Sequence, residues 1–170
     1  MIKIELNDAS VHQALIQAQS RVTNLRPLMA GLANKLLEAP EDNFAKERNP
    51  ETGQRWPELA PSTRQQRATT GRGGKMLQVS GLLASSIQPN FGDDYAEVGT
   101  NKAYAPVHQF GSGPYTIRPR HKQALAFGGI VRKKVNHPGV PARPFLGLSA
   151  QHKADIVEAI TNYLPHTEAS

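Results

Sequence analysis

Cysteine is absent from this chain, which excludes disulfide staples, thiolate nucleophiles and thiolate metal sites together. Long apolar runs are missing too. The longest mostly apolar stretch, ALAFGGIV at 124–131, is far short of the roughly 20 residues that cross a bilayer. The opening MIKIELND lacks the charged-then-apolar pattern of a secretion signal, so a soluble, non-secreted protein with no membrane contact is expected. Acidic residues are absent from whole regions. Residues 1–58 are nearly neutral, with seven Lys/Arg against eight Asp/Glu. From Leu59 to Gly92 there are four Lys/Arg and no acid; Asp93, Asp94 and Glu97 intervene, and Val98 to Ala154 then carries nine Lys/Arg and again no acid. The net charge of +6 is thus regional, and a field of that kind attracts polyanions or acidic protein surfaces.

What is present reads as a single domain, 1–170, since domains commonly run roughly 100 to 200 residues. IKIEL at 2–6 alternates like a half-buried strand. Val11, Leu15, Ile16 and Val22 then recur at helical spacing, with Asp8 or Ser10 available as a cap. Pro27 breaks or restarts that helix, and Leu28, Leu32, Leu36 and Leu37 carry the stripe until it fades by Pro40 or a little beyond. Residues 49–74 hold three prolines and four glycines without a sustained period, which predicts a long mobile loop with Trp56 and Leu59 pinned to the core.

MLQVSGLLASSI at 76–87 reads as a short helix capped by Ser80, with Leu82, Leu83 and Ile87 inward. A turn at NFGDD precedes the strand YAEVGT, and AYAPVHQFG forms a helical turn closed by Gly111. TIRPR, QALAF and IVRKKV are strand candidates. A final helix capped by Ser149 carries Ile156, Val157, Ile160 and Leu164, ahead of a flexible tail at 165–170. This order predicts an α+β fold: an antiparallel β-sheet packed with N-terminal and C-terminal helices, plus one long mobile loop.

Catalytic signatures are lacking. HExxH, CxxC, GxxxxGK[ST] and GxSxG do not occur. His108, His121 and His137 as metal ligands would set a divalent ion among nine positive side chains with no carboxylate, so they are read as surface or hydrogen-bonded histidines. Asp93-Asp94 is read as turn chemistry, and the glycines of TTGRGGK as a loop tip, because no strand-loop-helix fingerprint surrounds them. No cofactor is implied. The strongest charge clusters are Arg118, Arg120 and Lys122, then Arg132, Lys133 and Lys134, which suit phosphate neutralisation without sequence preference. Tyr115 and Phe127 are the only aromatics nearby, too few for a platform that stacks single-stranded bases. A nonspecific double-stranded DNA-binding protein is the alternative these clusters support.

Four separated pieces then come together. They are TG..W..L...T (Thr52, Gly53, Trp56, Leu59, Thr63), L..SG.L..SI (Leu77, Ser80, Gly81, Leu83, Ser86, Ile87), VGT...YA..HQ.G (Val98, Gly99, Thr100, Tyr104, Ala105, His108, Gln109, Gly111) and PARPFLG.S (Pro141 to Gly147, Ser149). In this order, from about Phe44 to Leu164, the chain resembles the phage virion morphogenesis (tail completion) family of Mu-like and related tailed phages. The resemblance implies a non-enzymatic structural protein at the head-proximal end of the tail, in the virion and, during assembly, in the host cytoplasm. It further implies a ring of identical copies, a hexamer, around the DNA channel, adjoining head-connector and tail-terminator or tail-tube proteins. Under that reading Arg143, Pro141, Pro144, Phe145, Trp56, Tyr104 and His108 are assembly-interface candidates. The six basic residues Arg118, Arg120, Lys122, Arg132, Lys133 and Lys134 would face packaged double-stranded DNA or acidic partners.

Within the last piece, Pro141 and Pro144 fix their own φ and keep the preceding residues out of the α region. Arg143 is thereby presented in one direction with its planar fork, either to its own domain or to a neighbouring subunit. Phe145 and Leu146 are expected to anchor the following helix on the sheet. Tyr104 and His108, four apart, should form a packed, hydrogen-bonded pair. Gly81 is read as a close-packing position and Gly111 as a chain reversal.

Overall fold

The computed structural model describes residues 13, 16–17, 19–20, 22–120, 123–127 and 130–164. The expected strand at 2–6, Lys122, His121 and the tail 165–170 lie outside the described residues. In chain order the elements are α1 (Arg26–Lys46), α2 (Pro61–Thr69), a 3-10 turn (Ala84–Ser86), β1 (Ile87–Phe91), β2 (Ala96–Thr100), α3 (Ala105–Phe110), β3 (Tyr115–Ile117), β4 (Leu125–Phe127), β5 (Ile130–Arg132), β6 (Val135–His137) and α4 (Ala150–Tyr163). The fold is α+β, as the element order predicts. Among the described residues the strands form three separate antiparallel pairs, β1–β2, β3–β6 and β4–β5, rather than one sheet.

Helix α1 opens with Pro27 in its first turn, where a missing N–H is harmless. It does not fade at Pro40. The helix runs through to Lys46 and ends at Glu47 in the left-handed region, φ 52. An interior proline removes one helical hydrogen bond, but burial of Pro40, Asn43 and Phe44 continues the stripe begun by Leu28, Leu32 and Ala33. Tertiary packing of that face outweighs the local cost.

The stretch 76–87 is not a helix. Leu77 and Gly81 have φ of 60° and 69°, and two left-handed residues so close together break any helical ladder. The segment winds as turns that bury Leu83 and Ile87 and leave Leu82 exposed. Ile87 already belongs to β1, opposite Thr100. The loop expected at 49–74 contains α2, which buries no residue fully. Proline at its first turn starts it, and its period was invisible because it has no apolar face.

Helix α4 starts as predicted at Ser149, whose hydroxyl accepts the His152 N–H at 3.2 Å. His152 Nδ1 in return accepts the Ser149 N–H at 3.3 Å, which closes a capping box. His152 Nε2 lies 3.7 Å from Asp42, and the Tyr163 hydroxyl donates to the Asn24 carbonyl at 2.9 Å. These two ties join opposite ends of the helices, so α4 and α1 run antiparallel. Helix α1 also packs on β1 and β2.

Candidate functional site: the braced arginine segment and the basic arm

Residues 141–147 lie outside helix and strand, with no strand paired to them among the described residues, so their backbone polar groups need other partners. Side chains supply them. Asn43 Nδ2 donates to the carbonyls of Phe145 at 3.0 Å and Gly147 at 3.1 Å. Gln109 Oε1 accepts both the Phe145 and Leu146 N–H groups, at 3.0 and 2.9 Å, while its Nε2 donates to the Leu146 carbonyl at 2.7 Å. Trp56 Nε1 donates to the Pro144 carbonyl at 2.9 Å, and the Arg143 N–H donates to the His108 carbonyl at 2.7 Å. Three side chains from α1, α3 and the turn before α2 thus stand in for a missing strand.

Between these ties sits the core. Phe145 is 0% exposed, stacked on Phe44 with ring centroids 5.3 Å apart, and Phe44 meets Trp56 edge-on at 5.9 Å. Leu83, Ile87 and Ala105 complete the cluster. Trp56 reaches it because Asn49 folds an Asx turn, its side chain accepting the N–H groups of Glu51 and Thr52. Gly53 at φ 69° closes that turn, and the Trp56 N–H returns to the Glu47 carbonyl at 2.8 Å. At the end of the segment, a side chain on Gly147 would run into the Pro50 ring, 2.7 Å from the position of its Cβ.

Arg143 is 5% exposed. Its Nε donates to the Pro57 carbonyl at 2.8 Å and its Nη2 to the Glu58 carbonyl at 2.9 Å. Burial, and after it the charge of Arg67, lower its pKa. Of the two destinations open in the sequence, the guanidinium takes the one inside its own chain.

Tyr104 and His108 pack edge to face, centroids 6.0 Å apart. Among the described residues no hydrogen bond joins the two, and His108 Nδ1 is buried without a partner there. Desolvation first, and the Arg143 charge second, push the His108 pKa below 6.5.

The interface candidates therefore separate by location. Trp56, Arg143 and Phe145 are buried within the chain, where their contacts shape the segment. Pro141 and Tyr104 are exposed, while Pro144 and His108 are half-buried. Gly111 has φ 77°, and a Cβ there would meet the Val140 carbonyl at 2.8 Å; Gly81 has φ 69° with open space around it. The close-packing role belongs to Gly111 as well as the reversal, and Gly81 serves backbone conformation alone. Sequence reasoning missed Asn43. The available signal was a polar residue next to Phe44 on the buried stripe of α1.

The basic clusters stand elsewhere. Ser112 pairs with Val140 in an isolated bridge, and β3 and β6 continue that register from Tyr115↔His137 to Ile117↔Val135. Beyond them β4 and β5 pair from Leu125↔Arg132 to Phe127↔Ile130. The result is one nested hairpin arm. Its two ladders are offset, because residues 118–124 join them on one side and only Lys133–Lys134 on the other. Arg118, Arg120, Lys133 and Lys134 occupy that interruption, and Arg132 ends β5; all five are exposed. None takes part in an ion pair among the described residues. Tyr115 stacks on His137 across the root at 4.8 Å. His137 Nδ1 accepts the Gly139 N–H. Among the described residues, no group of three His, Cys, Asp or Glu is placed to hold a metal ion, and no helix is long and apolar enough to cross a membrane.

Comparison with known proteins places this geometry. The sequence pattern of the phage virion morphogenesis family matches residues 6–165. The chain is 32% identical over 149 residues to protein G of Escherichia phage Mu, which is named for capsid assembly; the alignment covers 87% of this chain and 85% of that protein. It is 32% identical over 166 residues, 96% of each chain, to the Mu-like prophage FluMu G protein 2 of Haemophilus influenzae. Against the FluMu G protein 1 of the same organism it is 29% identical over 157 residues, 91% of this chain and 89% of the other. No solved structure matches.

Proposed function

The chain belongs to the phage virion morphogenesis family, a family of structural assembly proteins, and from that premise we propose that it completes the head-proximal end of the tail and supports head-tail joining. Copies of the chain form a ring, a hexamer, around the DNA channel, and the protein performs no catalysis. Neighbouring head-connector and tail-terminator or tail-tube proteins contact the ring on its two faces. The single observation that carries this reading is the exposed basic arm on a side-chain-braced body, in a chain that matches the family over nearly its whole length. Repetition around an axis would turn each arm's cluster into a belt of positive charge, facing DNA phosphates inside the channel or acidic partner surfaces outside it.

Deleting the gene tests the proposal. The expected result is filled heads and separate tails that fail to join, restored by the intact gene in trans. Normal infectious particles without the gene would overturn it. The arm also favours a second reading, nonspecific binding to duplex DNA by the isolated chain. That reading requires affinity that falls steeply as salt rises, and no binding at low salt would remove it.

A further inference from the structure

We infer that the pocket between α2 and α3 is a binding site for a carboxylate, with the Arg67 guanidinium as its principal donor. The pocket has a volume of about 230 Å³, and Arg67, Leu77, Ser80, Leu83, Tyr104 and His108 line it. Two nitrogens of these side chains, Arg67 Nη1 and His108 Nδ1, are closed off from solvent and have no hydrogen-bond partner among the described residues. A buried charged donor without an acceptor is among the arrangements folds least retain. No acidic side chain lines the pocket, and the Arg143 guanidinium, committed to two carbonyls, lies near enough for its charge to act on His108 and to feel that of Arg67. Cationic groups therefore converge with no anion between them.

Helix α2 adds an independent argument. Its sequence, PSTRQQRAT, has no apolar stripe and buries no residue fully. Thr63 and Arg67, four apart and so on one face, are its only half-buried residues. The helix therefore meets the body through Thr63 and a guanidinium, and the guanidinium makes a firm contact when an anion faces it. The planar fork matches a planar carboxylate with two parallel hydrogen bonds. A duplex phosphate sits on a broad, convex backbone, whereas a carboxylate on a slender stem suits a recess of about 230 Å³. Two sources share this chemistry: a free small carboxylate, and an Asp or Glu side chain of an adjoining chain. The second rests on the assembly reading above; the first does not.

The test is a titration of the full chain with sodium acetate against sodium chloride at equal ionic strength, followed by NMR of the His108 ring. Saturable shifts with acetate and not with chloride are expected, together with a rise in the His108 pKa, because a bound anion offsets the repulsion from Arg143. Arg67→Gln should weaken the response about tenfold or more. Arg67→Lys keeps the charge but loses the fork, and should fall between; it also serves if the glutamine variant fails to fold. Inorganic phosphate acting more strongly than acetate would overturn the carboxylate assignment. No saturable shift with either anion would overturn the site, leaving a water-filled recess. An image of the assembled particle then separates the sources: an acidic side chain of a neighbour against Arg67 identifies a partner, and an open pocket identifies a small-molecule site. The titration succeeds or fails whatever the gene deletion shows.

Discussion

Two regions of this molecule solve the problem of an extended chain in opposite ways. Around residues 141–147 the backbone has no strand neighbour, yet Asn43, Gln109 and Trp56 take up its polar groups and Phe145 is wholly enclosed. Along the arm the backbone pairs with itself in regular ladders, and no residue at 113–120, 123–126 or 131–138 is fully buried. One region is held by specific side chains; the other is held by its own strands and a root. The difference teaches where substitutions should act. Changes in the braced segment should cost stability first, and changes on the arm should alter contacts while leaving the fold.

The largest expected effect is Phe145→Ala, which opens a cavity at the centre of the aromatic cluster and should lower unfolding free energy by about 3–5 kcal/mol in denaturant titration. A loss no greater than that of a surface substitution would show the cluster is not the organising core. Asn43→Ala should follow, at about 2–4 kcal/mol, because it leaves the Phe145 and Gly147 carbonyls without a donor. A second variant at this position separates geometry from chemistry: Asn43→Gln keeps the amide but sets it one methylene too far out, and should recover only part of that loss.

The arm's root makes a finer comparison. Gly139 has φ 97°, and a Cβ on it would meet the Ser112 carbonyl at 2.3 Å, whereas Gly113 has nothing within 4 Å. Gly139→Ala should cost about 1–3 kcal/mol, and Gly113→Ala roughly 0.5 kcal/mol or less. Equal effects would mean the root is not set by close backbone approach.

Acid should act on the braced side. His108 has its folded pKa lowered by burial and by Arg143, so below the ordinary value of 6.5 the unfolded chain takes up a proton that the folded chain resists. Stability should therefore fall as pH drops through that value and level off below the folded pKa. His108→Gln should flatten this dependence in melts recorded across pH 7 to about 5. Tyr104, Arg67 and Arg143 are the titratable groups beside it among the described residues.

The smallest effect on stability is expected from reversing Arg132, Lys133 and Lys134 to glutamate, within about 0.5 kcal/mol. The same reversal should lower phage titre or DNA retention, and an unchanged titre would reduce the arm's charge to a solubility feature.

Much of this was legible in the letters. The Ser149 cap, the first turn at Pro27, the helical turn closed by Gly111 and the burial of Trp56 and Phe145 follow from local chemistry that acts within a few residues. The four motif pieces were legible as a set, although not why they belong together: Trp56, Leu83 with Ile87, Ala105 and Phe145 come from one piece each and meet in one cluster. The turn run at 77–83 was not legible, because left-handed Leu77 violates local preference and is held in place from outside. Neither was α2, a helix without an apolar face.

By itself, then, the sequence determined the α+β class, the regional positive charge, the stiffness of the proline-flanked segment and the family. Those are consequences of composition and of interactions between near neighbours. Only the tertiary structure decided that Arg143 turns into its own chain, that Asn43 and Gln109 stand in for a strand, and that Arg67 and His108 share a pocket without a counter-charge. These depend on which distant groups are left unpaired once the core closes, and no short-range rule contains that information.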